Sequence, residues 1–271
     1  MLRITCFLSA MMLISCDQAP THPESHGPRI ASMSPAMSRM LCEIGLREAI
    51  VGRSTFCRDL DDVPVVGDLE HFDAEGLVRS NPTHVFVQRH QDFVQPSMQE
   101  LASIHGWSVI AETLSSNDDV DRILNRIQIE VDHPLVSRRC QDLADVLDQA
   151  LAVREMTSQP RLLILSPGMT PLAWGASTYL GELVHAAGGQ NLVEGPVWKS
   201  LSFEDIARLG PDLIIVPSGQ EEIDLSMLRA AVQQADIQIL RAEDIDLPGP
   251  HLAQLADEID RILSFQAAYT D

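Results

Sequence analysis

The sequence predicts an α/β chain built as two lobes, and three observations carry that reading. Short apolar runs that read as strands alternate with helical patterns at both ends of the chain. A strandless, helical stretch over residues 118–158 separates these two regions. The signature of the first region then returns in the second. "FDAEGLVRSNPTHVFV" (72–87) and "LSFEDIARLGPDLIIV" (201–216) each set a glutamate seven residues before a proline, 129 residues apart. "RIASMSP" (29–35) is echoed by "RLLILSP" (161–167) at a displacement of 132. Recurrence at nearly one displacement marks a duplicated unit. The expected architecture is two Rossmann-like α/β lobes joined by a single long backbone helix, with a ligand cleft between them.

The first lobe, residues 29–117, opens with a buried strand in "PRIASMSP" that ends in a turn. Met37, Met40, Leu41 and Ile44 then fall on one helix face, and Gly45 stops that helix. "AIVGRSTFC" reads as a second strand running into a loop. "FDAEGLVRSNP" reads as a short helix N-capped by Asp73, and "THVFVQ" as the third strand. "VQPSMQELASIHG" is a helix and "WSVIAE" a strand. In the link, Val136, Cys140, Leu143, Val146, Leu147 and Leu151 make one helical stripe. A run of about 22 residues after Pro134 would be roughly 33 Å long, enough to brace two lobes. The second lobe, residues 159–271, repeats the alternation: "RLLILSP", the helix "TYLGELVHAAGG" closed by Gly188 and Gly189, the second glutamate motif, "IDLSMLRAAVQQ", "IQIL" and a closing helix "LAQLADEIDRILSF".

Composition narrows the function. A hydrophobic content of 45% suits a folded chain, and a formal charge of −20 excludes the counterion-releasing basic surface that nucleic acid requires. Cys6 and Cys16 fall in the N-terminal segment, which leaves Cys42, Cys57 and Cys140. An oxidising compartment permits disulfides, but three thiols leave at least one unpaired, and no pairing is selected. Cys42 lies in an apolar helical pattern, as a small core residue would.

Residues 1–15 have the proportions of a secretory signal: Arg3, then an apolar stretch from Ile4 to Ile14 too short to span a bilayer. "LISC" (13–16) resembles the bacterial lipoprotein lipobox. The resemblance implies cleavage before Cys16, acylation of that residue and a lipid anchor in membrane. "DQAPTHPESHGP" is polar and rich in proline, so residues 16–28 are expected to act as a flexible tether. The expected location is exported, on the periplasmic face, as a membrane-anchored lipoprotein.

Four segments in order, "RIASMSPAMSRMLCEIGLREAIVGRS", "FDAEGLVRSNPTHVFV", "WGASTYLGELVHAAGGQNLVEG" and "SFEDIARLGPDLIIV", resemble the periplasmic solute-binding proteins of cobalamin, haem and ferric-siderophore ABC importers. The cobalamin-binding branch is the most similar, and the resemblance spans about residues 28–265. It implies the class III periplasmic binding protein architecture and a monomer that delivers its cargo to an ABC permease and ATPase complex. It also implies that Glu75 and Glu204, one per lobe, dock on permease arginines. Each glutamate stands in the first turn of an expected helix, where an acid complements the helix dipole and stays exposed. Ser202 and Asp205 fit an N-cap with an acidic partner three residues on. The bland reading is that acids simply suit helix starts; recurrence in both halves favours docking.

Ligand contacts are expected on the loops that follow strands. In the first lobe these are Ser34 and Pro35, then Phe56, Cys57 and Arg58, then Gln88, Arg89 and His90. In the second they are Met169 to Trp174, Trp198 and Lys199, Ser218 to Gln220, and Asp246 to Pro250. Two of the three tryptophans, Trp174 and Trp198, fall in this set, and flat aromatic faces suit a large planar ligand. Core packing is an equal expectation for Trp174. The second-strand loop "STFCRDLDD" keeps Cys57 but lacks the tyrosine or histidine usual among cobalamin binders. Arg58 is free to meet ligand carboxylate or phosphate, although Asp59, Asp61 and Asp62 are the nearer expected partners.

No resident cofactor is expected; the transported ligand would be cobalamin-like or an iron chelate, with haem the alternative. The nine histidines form no paired or clustered zinc pattern, and His84 in its strand reads as a satisfied core residue. His71 and His90 remain able to reach the cleft, and a single axial donor suffices for haem. An α/β enzyme is the reading from another class. The chain lacks a Gly-x-Ser-x-Gly elbow, a P-loop and a Gly-x-Gly-x-x-Gly turn. No catalytic residue or resident metal site is therefore expected.

Overall fold

A computed structural model of the chain describes residues 27–131, 133–154, 159–196 and 198–270. The expected signal segment, Cys16 and the tether up to residue 26 lie outside the described residues. The first lobe comprises β1 (Ile30–Ser32), α1 (Pro35–Glu43), β2 (Ile50–Ser54), β3 (Val65–Gly67), α2 (Ala74–Ser80), β4 (His84–Val87), α3 (Pro96–His105) and β5 (Ser108–Ala111). Its five strands pair in parallel in the order β3-β2-β1-β4-β5. The order reverses at β1, so a crevice opens beyond the carboxyl ends of β1 and β4.

Two helices follow, α4 (Asn117–Glu130) and α5 (Pro134–Ala150). The strut is α5. Its Val136, Cys140 and Leu147 lie in the first lobe's core, and its C-terminal Ala150 and Leu151 pack on the second lobe's core. At 17 residues it is about 25 Å long, shorter than the expected 22-residue run. The chain leaves the helix because it is captured by the second lobe: the Arg154 amide donates to the Ala186 carbonyl at 2.8 Å.

The second lobe comprises β6 (Arg161–Ser166), β7 (Leu172–Trp174), α6 (Tyr179–Ala186), β8 (Gln190–Asn191), β9 (Trp198–Ser200), α7 (Phe203–Leu209), β10 (Leu213–Ser218), α8 (Ser226–Ala231), β11 (Asp236–Arg241) and α9 (Ala256–Thr270). The sheet is mixed. β11, β10 and β6 run parallel, β8 pairs with the start of β6, and β7 pairs antiparallel with its end and with β9. Sequence reasoning placed Trp174, Trp198 and Lys199 on loops; they stand instead on β7 and β9. Strands of three residues are too short to show alternation, and β3 escaped notice for the same reason.

The repeated motif has a structural cause. In each lobe an arginine at the start of the first strand holds the carboxyl end of the motif helix. Arg29 donates to the carbonyls of Ser80 (2.7 Å) and Asn81 (2.9 Å), and Arg161 to those of Leu209 (2.9 Å) and Gly210 (3.3 Å). Both helices end on a left-handed residue, Asn81 (φ 45°) and Gly210 (φ 57°). A cation at this end satisfies orphan carbonyls and complements the dipole.

Candidate functional site: the cleft between the lobes

The carboxyl ends of the strands of the two lobes meet across the cleft. Asp244, in the turn after β11, accepts from Arg39 of α1 at 2.6 Å and from Arg58 of the loop after β2 at 2.7 Å. A second polar junction lies beside the strut. The Glu182 carboxylate of α6 accepts from the Asn117 backbone and side-chain nitrogens, both at 2.8 Å. The Tyr179 amide donates to the Ser115 carbonyl at 3.0 Å. Burial raises the affinity of Glu182 for its proton, and these Asn117 bonds oppose that shift.

The second lobe carries an aromatic cluster on the antiparallel edge of its sheet. Register places Trp174 opposite Trp198 on β7 and β9, with ring centres 5.7 Å apart. Tyr179, capped into α6 by Thr178, completes the group at 5.4 Å from Trp174 and 6.3 Å from Trp198. The roles divide by exposure. Trp174 and Tyr179 are buried; the Trp174 indole donates to Ser166 Oγ at 2.9 Å, and burial pushes the Tyr179 phenol well above its usual range. Trp198 is 36% exposed. It is a partly bare aromatic edge on a rigid aromatic base. Lys199 beside it is exposed, as are Gln220, Met169 (88%) in the loop after β6, and Phe56 (60%) in the loop after β2.

Several expected contact residues are already committed within the protein. Ser34 is fully buried: its hydroxyl caps α1 by accepting from the Met37 amide and donates to Gln88 Oε1 at 2.6 Å, bridging the ends of β1 and β4. Pro35 is buried as the first residue of α1. Cys57 is 5% exposed with its sulfur 3.1 Å from Ser38 Oγ, and burial pushes its thiol pKa up. These three build the floor and present no free side chain. Arg89 is turned to its own lobe, where it bonds the Leu69 carbonyl and lies 3.9 Å from Glu70. His90 is exposed and caps a short turn, its Nδ1 accepting from the Asp92 amide. Arg58 corrects the expectation of a local partner. Asp62 pairs with Arg47 and Asp61 with Arg53, which leaves Arg58 to Asp244 of the opposite lobe. Sequence reasoning missed Asp244 altogether, because nothing local distinguishes it among 39 acidic residues.

Cys42, Cys57 and Cys140 are all free thiols. His84 is satisfied within its lobe by Thr83 Oγ1 (2.7 Å) and the Glu130 carbonyl (3.2 Å). Glu75 and Glu204 are both exposed in the first turns of α2 and α7. Ser202 and Asp205 form the expected reciprocal capping box on α7, whereas Asp73 occupies the N-cap of α2 without a side-chain bond. Among the described residues no group of three or more His, Cys, Asp or Glu side chains is arranged to hold a metal ion.

Residues 30–238 match the periplasmic binding protein family, and the chain belongs to it. A relative by sequence is the high-affinity heme uptake system protein IsdE of Staphylococcus aureus, 25% identical, with 85% of this chain and 81% of IsdE aligned. Two solved structures share the fold. The periplasmic heme-binding protein HutB of Vibrio cholerae superposes with a TM-score of 0.70 at 19% identity, over 87% of this chain and 98% of HutB. The periplasmic vitamin B12-binding protein BtuF of the same organism gives 0.67 at 14% identity, over 89% and 98%. At these identities the structures establish the fold alone: two α/β lobes in the class III periplasmic binding protein arrangement.

Proposed function

We propose that this chain is an exported, lipid-anchored cargo receptor of an ABC importer, holding a cobalamin-like ligand or an iron chelate between its lobes. The reaction is binding and hand-over to a permease and ATPase complex, without catalytic turnover. The observation that carries the cargo class is Trp198, partly bare on the base formed by Trp174 and Tyr179. A rigid aromatic edge offers contact area at small entropic cost and suits a broad, flat ligand. Phe56 and Met169, on the loops of opposite lobes, add exposed apolar surface. Lys199, exposed beside Trp198, would meet a peripheral acid of the cargo. Haem is the second reading, favoured by the likeness to IsdE and by the same flat surface. His90 is the histidine at the carboxyl end of a first-lobe strand that would serve it. We assign Glu75 and Glu204 to permease docking and Cys16 to lipidation.

A melting-shift panel with cobalamins, hemin and ferric siderophores tests this function, with hydrolase and transferase turnover assays on the same sample. One member of the panel should raise the melting temperature in a saturable way, because a ligand bound only by the native state stabilises it by mass action. Turnover, or a flat response to all three cargo classes, would overturn the receptor reading.

A further inference from the structure

We infer that Asp244 is the latch that fixes the separation of the two lobes, and hence a positioning residue for cargo rather than a contact to it. Its carboxylate is 6% exposed and is divided between two guanidiniums of the other lobe, Oδ2 taking Arg39 and Oδ1 taking Arg58. The arginines come from different elements, α1 and the loop after β2, so one carboxylate fixes both a distance and an orientation. Asp244 is itself held. Its backbone is left-handed (φ 54°), a conformation uncommon for a side chain larger than glycine. The Leu247 amide and the His251 ring both bond its carbonyl, at 2.9 and 3.3 Å. Leu247, three residues on, packs against the first lobe's core.

The charges balance locally. Arg39 also bonds Glu43 at 3.0 Å, so two acids meet two arginines. Removing the Asp244 charge leaves Arg39 and Arg58, both of the first lobe, with no acid from the second lobe to hold them, so the ionic tie across the boundary is lost and the lobes separate. Arg58 differs from Arg39 in being 66% exposed, so its loss leaves the α1 half of the latch in place. The strut and the Glu182–Asn117 junction form the hinge; the Asp244 contact is what stops rotation about it.

The consequence for cargo rests on the receptor function proposed above, so the lobes are measured without cargo. Small-angle scattering of the whole chain is compared for the wild type, Asp244→Asn, Asp244→Glu, Arg58→Ala and the Arg39→Ala/Arg58→Ala pair. Asp244→Asn and the double arginine variant should each widen the pair-distance distribution. Asp244→Glu should restore it in part, and combining Asp244→Asn with the double arginine change should widen it no further. An unchanged distribution in the folded variants, with or without a lower melting temperature, would overturn the latch. If Asp244→Asn fails to fold, the Arg39→Ala/Arg58→Ala pair decides the matter: a distribution identical to the wild type overturns the latch, and a widened one upholds it. A latch confirmed in a protein that binds none of the cargo panel would refute the proposed function and leave the latch standing.

Discussion

Burial holds the His251 imidazole neutral. Desolvation, followed by the nearby positive charge of Arg39, pushes its pKa down to about 4, against an ordinary value of 6.5. A neutral native histidine binds fewer protons than the unfolded chain, so stability is complete above pH 6.5 and is lost as pH falls toward 4. The loss is on the order of 3 kcal/mol. Melting curves from pH 7 to 4 should show this decline, and His251→Gln should flatten it; an equal decline in the variant would assign the effect to other groups. None of this was legible in the sequence, where His251 is one histidine among nine. The sequence offered Trp198 and Trp174 alike as flat aromatic faces, and the structure leaves Trp198 36% exposed. Trp174 was not separable from it. Only the β7–β9 register, and the bond from its indole to Ser166, assign it to the supporting layer.

Elements explain why the motif recurs. α2 and α7 each begin with an exposed glutamate and end on a left-handed residue whose helix is held by a strand-starting arginine. Each helix is therefore fixed to its sheet at the carboxyl end and projects its acid at the other. Two rigidly mounted acids on separate lobes can fix orientation against two cationic sockets and speed encounter. Reversal of both, Glu75→Lys with Glu204→Lys, should abolish cargo uptake by membrane vesicles containing the permease while cargo affinity stays within twofold. Weakened cargo binding in the variant would contradict the docking role. In the first lobe β2, β4, β5 and the helices α1 and α3 were readable because their apolar pattern runs for four residues or more, whereas β3 was missed. Of the three-residue strands only β1 was read, and the strut was overestimated because the apolar run continues past Ala150 to Leu151 and Val153, whereas α5 ends at Ala150 and the Arg154 amide already bonds the Ala186 carbonyl.

At the scale of the molecule, the carboxyl ends of the strands of two lobes face one another, and the proposed cargo would lie between them. Order and recurrence in the sequence foretold two α/β lobes and a strut, because strand–helix units of similar build set similar residues at similar spacing. The ties between lobes were invisible. The Asp244 latch spans more than 180 residues of sequence, and the Glu182–Asn117 junction joins positions that share no motif. The most direct measurement is an equilibrium titration of the mature chain with the cargo that gives the melting shift, repeated on Trp198→Ala. The account predicts one molecule bound per chain. It also predicts affinity about 30-fold weaker in the variant, the loss of roughly 2 kcal/mol expected for an aromatic anchor. Binding of equal strength in the variant, or binding without a fixed stoichiometry, would contradict it.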